Sequence, residues 1–318
     1  MKKRFLTVFL TLLTVIIAST FFIACSDNDE TPPPSSCEHV GDGSGYCALC
    51  DEIIGTTDGV VYGLSSDETY AEVKGYEGSF NRVIIAAEYQ SKPVKNICES
   101  VFNYSTLTSV VIPNSTTYIG NDAFANCNNL MKVNFLGTID QWAQINFGNA
   151  YANPLNCAKN LYINNELINS ATITSTTKIA DYAFYGCGSL EEIVLSDNVE
   201  SIGYAAFFLN SLTTVTIGYG VRNIDYGAFY GCSKLESISI SDSVNSIGES
   251  AFRNCSSLEN IVIPNNVISI GDDAFFGCSK LTIYCKVKSE PSGWSPYWNL
   301  TGSLYETARI PVVWGYNG

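Results

Sequence analysis

Cys37, His39, Cys47 and Cys50 are the residues of this chain whose types and spacing point most directly to chemistry. Their order, C-x-H-x7-C-x2-C, supplies four ligands of the kind that close a structural zinc tetrahedron. His39 is the only histidine, and the Gly-rich segment around it is too short to form a core. The alternative is a disulfide, such as Cys37 to Cys47 or Cys50, which an extracytoplasmic location favours. Either would make residues 37–51 a structural knuckle.

Catalytic chemistry finds little to work with. A hydrolase triad needs a histidine, and His39 has no partner outside the knuckle. The sequence contains no G-x-S-x-G, no phosphate-cradling glycine loop and no H-E-x-x-H. Glu191-Glu192 and Asp272-Asp273 are adjacent acids that read as solvated; a glycosidase would need a facing pair across a cleft. The expectation is a protein that is not an enzyme and has no catalytic cofactor.

The elements that would position any site come from a repeat. Ala274-Phe275/Cys278/Leu281 echoes Ala251-Phe252/Cys255/Leu258, and the frame recurs at Ala228-Phe229/Cys232/Leu235, Ala206-Phe207/Asn210, Ala183-Phe184/Cys187/Leu190 and Ala123-Phe124/Cys127/Leu130. Ile97 to Phe102 opens the set, with Val101 in place of Ala. A fixed period of this kind marks a solenoid. The clearest unit runs from Leu258 to Cys278. Leu258, Ile261 and Ile263 read as an inward-facing strand. Val267 and Ile270 start a second extended segment, Gly271 turns the chain, Ala274 and Phe275 fill the interior, and Cys278 closes the coil. One coil cannot bury these side chains alone. Stacking at strand spacing, about 4.8 Å, buries all of them, each worth roughly 1.5–3 kcal/mol.

This pattern resembles the leucine-rich repeat, specifically the BspA-like bacterial surface subclass, over roughly residues 59 to 286. The resemblance implies a right-handed stack, mainly β with short irregular or helical connections. It also implies adhesion to host extracellular proteins or to other bacteria. Two coils near residues 128–187 are longer, with 30-residue steps. Thr138-Ile139-Asp140-Gln141 has capping-box spacing for a short helix through Trp142 and Ile145. Leu161–Ile163, Asn164-Asn165 and Leu167-Ile168 read as a hairpin. Gly59 to Gly78 reads as a hairpin that starts the stack, within a solenoid spanning 52–286. Trp294, Trp298 and Trp314 are expected to cap its end in residues 287–318.

Cysteines one coil apart point the same way, so they should sit beyond disulfide range. Cys127, Cys187, Cys232, Cys255 and Cys278 therefore read as buried free thiols. Asn210 shares their register, and leucine-rich repeats use Asn or Cys there to satisfy the backbone of the turn. Cys285 falls on the inward phase, and Cys98 replaces the turn glycine seen at Gly248 and Gly271.

The chain's first residues speak to compartment. Lys2, Lys3 and Arg4 precede an uncharged apolar run, a secretory signal pattern over 1–24. Phe22-Ile23-Ala24-Cys25 resembles the bacterial lipobox, with Phe22 where the motif usually has Leu. That resemblance implies cleavage before Cys25 and its lipidation. Residues 25–36 form an acidic, Pro-rich tether of the kind that resembles outer-membrane export signals, so the expectation is a lipid-anchored protein facing the cell exterior. Removal of 1–24 leaves 14 basic against 31 acidic residues, a charge near −17. Such a balance disfavours nucleic acid and anionic membrane surfaces.

Two surface features are candidates for binding a macromolecular partner. Outward strand positions form a mild strip: Ser109 and Val111, Glu192 and Val194, Thr214 and Thr216, Ser237 and Ser239, Asn260 and Val262. A second column follows the buried Phe: Tyr185, Phe208, Tyr230 and Phe276. Aromatics in a regular row serve as anchors for protein or sugar, or stack on one another over the coil edges. The sugar version describes a glycan- or nutrient-capture component of an outer-membrane uptake system.

Overall fold

The unit from Leu258 to Cys278 is one turn of the structure. Its first strand, Asn260–Ile263, buries Ile261 and Ile263, and its second, Ser269–Ile270, buries Ile270. The computed structural model describes residues 41–46, 53–301 and 308–318. These form a mostly β solenoid of about nine turns with almost no helix.

Most successive coils pair in parallel and in register, although Ser237–Ser239 and Asn260–Ile263 belong to separate sheets. Glu192–Leu195 aligns with Thr214–Ile217 so that Ile193 faces Val215 and Leu195 faces Ile217. The second strands form their own ladder, in which Ile202, Ile224, Ile247 and Ile270 follow one another. In-register pairing repeats each inward side chain one coil further on, and the core becomes a set of columns. Phe184, Phe207, Phe229, Phe252 and Phe275 stack with centroids 5.2–5.4 Å apart and nearly parallel planes. All five rings are fully buried. The column ends on Trp298, whose indole meets Phe275 edge-on at 5.9 Å.

A backbone rule accompanies the Ala-Phe pair. The residue before Ala and the second residue after Phe are left-handed in each coil: Ser250 and Asn254 have φ 57° and 62°, Asp273 and Gly277 have 53° and 77°. Glycine and asparagine tolerate this region best, and that preference explains Asn126, Gly186, Gly231, Asn254 and Gly277 at the second position. Tyr104 and Leu209 hold the same conformation, with φ 57° and 52°.

The longer coils carry the two insertions that the sequence suggests. Ile139–Trp142 is a single helical turn with a complete Thr138/Gln141 capping box. Trp142 is buried in the core and donates its indole N–H to the Ala183 carbonyl at 2.8 Å. Leu161–Ile163 and Glu166–Leu167 make the hairpin, with Asn164 and Asn165 at φ 50° and 71°, the pair of positive angles that a type I′ turn needs. This insertion interrupts the first-strand ladder between Leu161–Ile163 and Ser170–Ile173.

At the amino-terminal side, Val60–Leu64 and Ala71–Tyr76 form an antiparallel hairpin whose second strand pairs in parallel with Lys92–Ile97. At the other end the chain adds a further turn: Val312–Trp314 pairs in parallel with Thr282–Cys285, and Trp298 occupies the Phe position. Pairing of this kind covers a strand edge that would otherwise be exposed. Among the described residues, no helix is long and apolar enough to cross a membrane.

Candidate functional site

The strand strip is open over its central coils. Glu192, Thr214 and Ser237 are cross-strand neighbours, as are Val194, Thr216 and Ser239, and all six are exposed. Asn260 is exposed and Val262 half-buried on the next strand. Apart from Glu192 this surface is uncharged, with short hydroxyl side chains that leave the sheet flat.

Ser109 and Val111 do not belong to it. Val111 is 2% exposed and Ser109 9%, and the chain's own amino-terminal segment lies across Val111. Tyr46 and Ile84 pack with Val111 in a small separate core, flanked by Ile53 and Leu136. Tyr46 and Ile53 are joined by an antiparallel bridge. Thr57 is buried beneath them, accepting from the Ile84 amide at 2.8 Å and donating to the Ser44 carbonyl at 2.6 Å. The Arg82 guanidinium sits 3.6 Å from the Tyr46 ring centroid. Residue type at this phase carried no signal for the difference, since Val194, apolar and at the equivalent outward position of a later coil, is exposed.

The aromatic column is assembled differently from the sequence reading. Tyr185 stacks on Phe208 at 4.9 Å and 2°, and Phe208 on Tyr230 at 4.4 Å and 12°. Phe276 is not next. Arg253 stands between, its guanidinium 4.1 Å from the Phe276 centroid and 6.0 Å from that of Tyr230. It pairs with the Asp273 carboxylate at 2.5 Å. All four aromatics are half-buried. Because Tyr185, Phe208 and Tyr230 stack face to face, each spends its π-face on its neighbour. A sugar ring stacking by its C–H face has no such face available between them.

A second aromatic row escaped the sequence reading. Tyr204 stacks on Tyr226 at 4.8 Å and 6°, and Tyr182 leans on Tyr204 at 5.3 Å and 60°. The signal was a tyrosine two residues before the Ala-Phe frame in successive coils. A shallow groove of about 400 Å³ runs beside this row, lined by Ser201, Asn223, Asp225 and Ser246.

Cys25, Cys37, His39, Cys47 and Cys50 lie outside the described residues. Among the described residues, no group of three or more His, Cys, Asp or Glu side chains is placed to hold a metal ion. The eight described cysteines are free; Cys127, Cys187, Cys232, Cys255, Cys278 and Cys285 are buried, and Cys98 and Cys157 are half-buried. Within the repeat their role is defined by geometry. The thiols of Cys232, Cys255 and Cys278 donate to the carbonyls of Phe207, Phe229 and Phe252, one coil earlier, at 3.1, 3.2 and 3.0 Å. Asn210 makes the equivalent bond to the Phe184 carbonyl at 3.1 Å and also accepts from the Leu212 amide. Burial pushes the Cys232 and Cys285 thiols up to about 12, which keeps them protonated and poorly nucleophilic at neutral pH.

The chain matches the BspA type leucine rich repeat region in six copies, over residues 95–167 and 156–282, and belongs to that family. Among solved structures, the chain is similar to a leucine rich repeat protein of T. pallidum, at 23% identity and TM-score 0.42, covering 70% of this chain and 88% of that one. A leucine rich cell surface protein of Faecalibacterium prausnitzii is similar at 24% identity and TM-score 0.35, covering 72% and 87%. The pneumococcal vaccine antigen PcpA is similar at 18% identity and TM-score 0.43, covering 70% and 67%. No curated protein matches the chain.

Proposed function

We propose that this chain is a surface-exposed bacterial lipoprotein whose repeats bind a macromolecular partner, in adhesion to host extracellular or bacterial surface proteins. Leucine-rich-repeat proteins are in general non-enzymatic and act by presenting a surface. The observation that carries the reading here is the flat, exposed strip through Val194, Thr216 and Ser239. It lies in a sheet separate from the one whose Val111 is covered by the amino-terminal segment. A regular uncharged sheet face with few long side chains to immobilise suits a broad protein contact. The signal and lipobox patterns of residues 1–25 support display at the outer membrane, with Cys25 as the lipidated residue. Cys37, His39, Cys47 and Cys50 are proposed as a structural zinc knuckle between tether and repeats.

Binding to extracellular-matrix proteins and mucins tests the proposal. Saturable binding that is lost on Thr216→Arg, with the fold retained, is the expected result. Absence of saturable binding to any of them overturns the adhesive role. Glycan capture draws less support, since the ring faces it would use in the Tyr185–Tyr230 column are engaged with one another.

A further inference from the structure

The chain carries a guanidinium seated in its own aromatic column. Arg253 lies against Phe276, reaches toward Tyr230 and is held by Asp273. This is recognition of a planar cation by aromatic rings and a carboxylate, realised within one molecule on one flank of the solenoid.

The adjacent row offers rings and carboxylates as well, and the cation that lines its groove, Lys178, is engaged by Asp181. Two residues before the Ala-Phe frame, successive coils place Asp181, Tyr204, Tyr226, Glu249 and Asp272. The pairing of Ile202, Ile224, Ile247 and Ile270 keeps these positions in line, one coil apart. Asp181 is paired with Lys178 at 3.1 Å. The Tyr204–Tyr226 stack is thus bordered by the exposed Glu249, which has no ion pair among the described residues. Tyr204 is 38% exposed. Gly203 and Gly248 line the groove beside the pair, and each lets its coil approach the backbone of the preceding coil closely. A Cβ on Gly248 would fall 2.6 Å from the Asp225 carbonyl carbon and the Tyr226 nitrogen. Ser201, Asn223, Ser246 and Asp225 line it with hydrogen-bond acceptors.

We propose that this flank, centred on Tyr204, Tyr226 and Glu249, docks an arginine-bearing segment of the protein partner. The charge is complementary, the acidic chain as a whole attracts a basic segment, and the groove has room for a side chain to enter beside the tyrosines. Arginine is preferred over lysine because its planar, weakly hydrated head can stack on the Tyr226 face turned away from Tyr204 and fork to Glu249 in the next coil, which the compact ammonium does not. The proposal rests on the partner-binding reading and adds to it a site separate from the strand strip.

The test uses the full chain and fluorescently labelled hexa-arginine, hexa-lysine and hexa-glutamate peptides at moderate salt. Saturable binding of hexa-arginine, tighter than hexa-lysine, is expected. The double variant Tyr204→Ala/Tyr226→Ala, which leaves the charge unchanged, should weaken it roughly tenfold. Tyr204→Phe/Tyr226→Phe should retain it, which also controls for folding. Glu249→Gln should weaken it several-fold, whereas Glu192→Gln, which removes the same charge from the strip, should not. Equal affinity for hexa-arginine and hexa-lysine, unaffected by the tyrosine variants, would mean diffuse charge attraction and overturn the site. Competition at this site by a neutral oligosaccharide would also overturn it, in favour of a glycan. Neither result depends on whether a matrix protein binds the strip, so the two proposals fail separately.

Discussion

Leu209 and Gly231 occupy the same position of successive coils with φ of 52° and 72°, and the Leu209 side chain lies where a Cβ on Gly231 would meet it at 2.6 Å. Only the glycine adopts this conformation without strain. Left-handed backbone costs an L-residue about 1–2 kcal/mol, while glycine loses about 0.5–1 kcal/mol of chain entropy on folding. Leu209→Gly should therefore raise stability by about 0.5–1 kcal/mol. Gly231→Ala should lower it by about 1–2 kcal/mol. Urea midpoints at constant m-value check both. Stability gained at Leu209 together with weakened partner binding would show that strain is retained there for contact.

The Phe column should behave as a coupled unit. Phe252 touches Phe229 and Phe275 through its two faces at 5.3 and 5.4 Å. Phe252→Ala should destabilise by about 3–5 kcal/mol. Phe229→Ala/Phe252→Ala should fall short of the sum of the singles, because the shared contact is lost only once. Agreement of the double variant with simple addition would contradict a continuous column.

The thiol bonds predict both stability and reactivity. Cys255→Ala removes one donor to the Phe229 carbonyl, which keeps the bond from the Cys232 amide, a loss of about 0.5–1.5 kcal/mol. Cys232, Cys255 and Cys278 should resist a thiol reagent in the native state and react in denaturant. Rapid native labelling of any of the three would refute the buried ladder.

Asp140 links the helical insertion to the strand beyond it. Burial pulls its pKa up, but hydrogen bonds from the Ser175 and Thr174 amides at 2.8 Å and from the Thr174 hydroxyl at 3.1 Å outweigh it and hold the carboxyl below the ordinary range. A carboxyl depressed in the folded state stabilises the protein fully above its unfolded pKa and loses that contribution as pH falls through the folded pKa. The stability advantage of the native chain over Asp140→Asn should thus be present at neutral pH and shrink in acid. A difference that is constant with pH would assign the effect to packing.

The proposed zinc knuckle is open to direct metal analysis of protein lacking residues 1–25. One zinc per chain, lost on Cys47→Ser, is expected. No zinc, together with a mapped disulfide among Cys37, Cys47 and Cys50, would refute it.

Much of the coil was legible from residue spacing. Inward phases at Ile261, Ile263, Ile270 and Phe275, the Thr138 capping box and the Asn164-Asn165 turn are local properties. They depend on strand alternation, side chain-to-backbone hydrogen bonds and tolerated φ within a few residues. The shared role of Cys255 and Asn210 was legible too, since both donate from the same register position to the preceding coil. Left-handed Leu209 and Tyr104 were not, because nothing in their side chains announces the conformation that their glycine and asparagine counterparts accept freely.

Periodicity alone dictates that this chain stacks, which side chains enter the core, and that its repeat cysteines stand too far apart to pair. It does not dictate which outward residues stay uncovered. Val111 and Thr216 share a strand phase, yet Tyr46 and Ile84 bury the first while the second faces solvent. The reason is that burial of an outward side chain depends on chain segments tens of residues away. The same holds for the rings of the flank. Their spacing follows from the repeat, as does the place of Arg253, which follows Phe252 as Tyr230 follows Phe229, but only tertiary packing decided that Tyr185, Phe208 and Tyr230 turn their faces on one another and that Arg253 lies against Phe276.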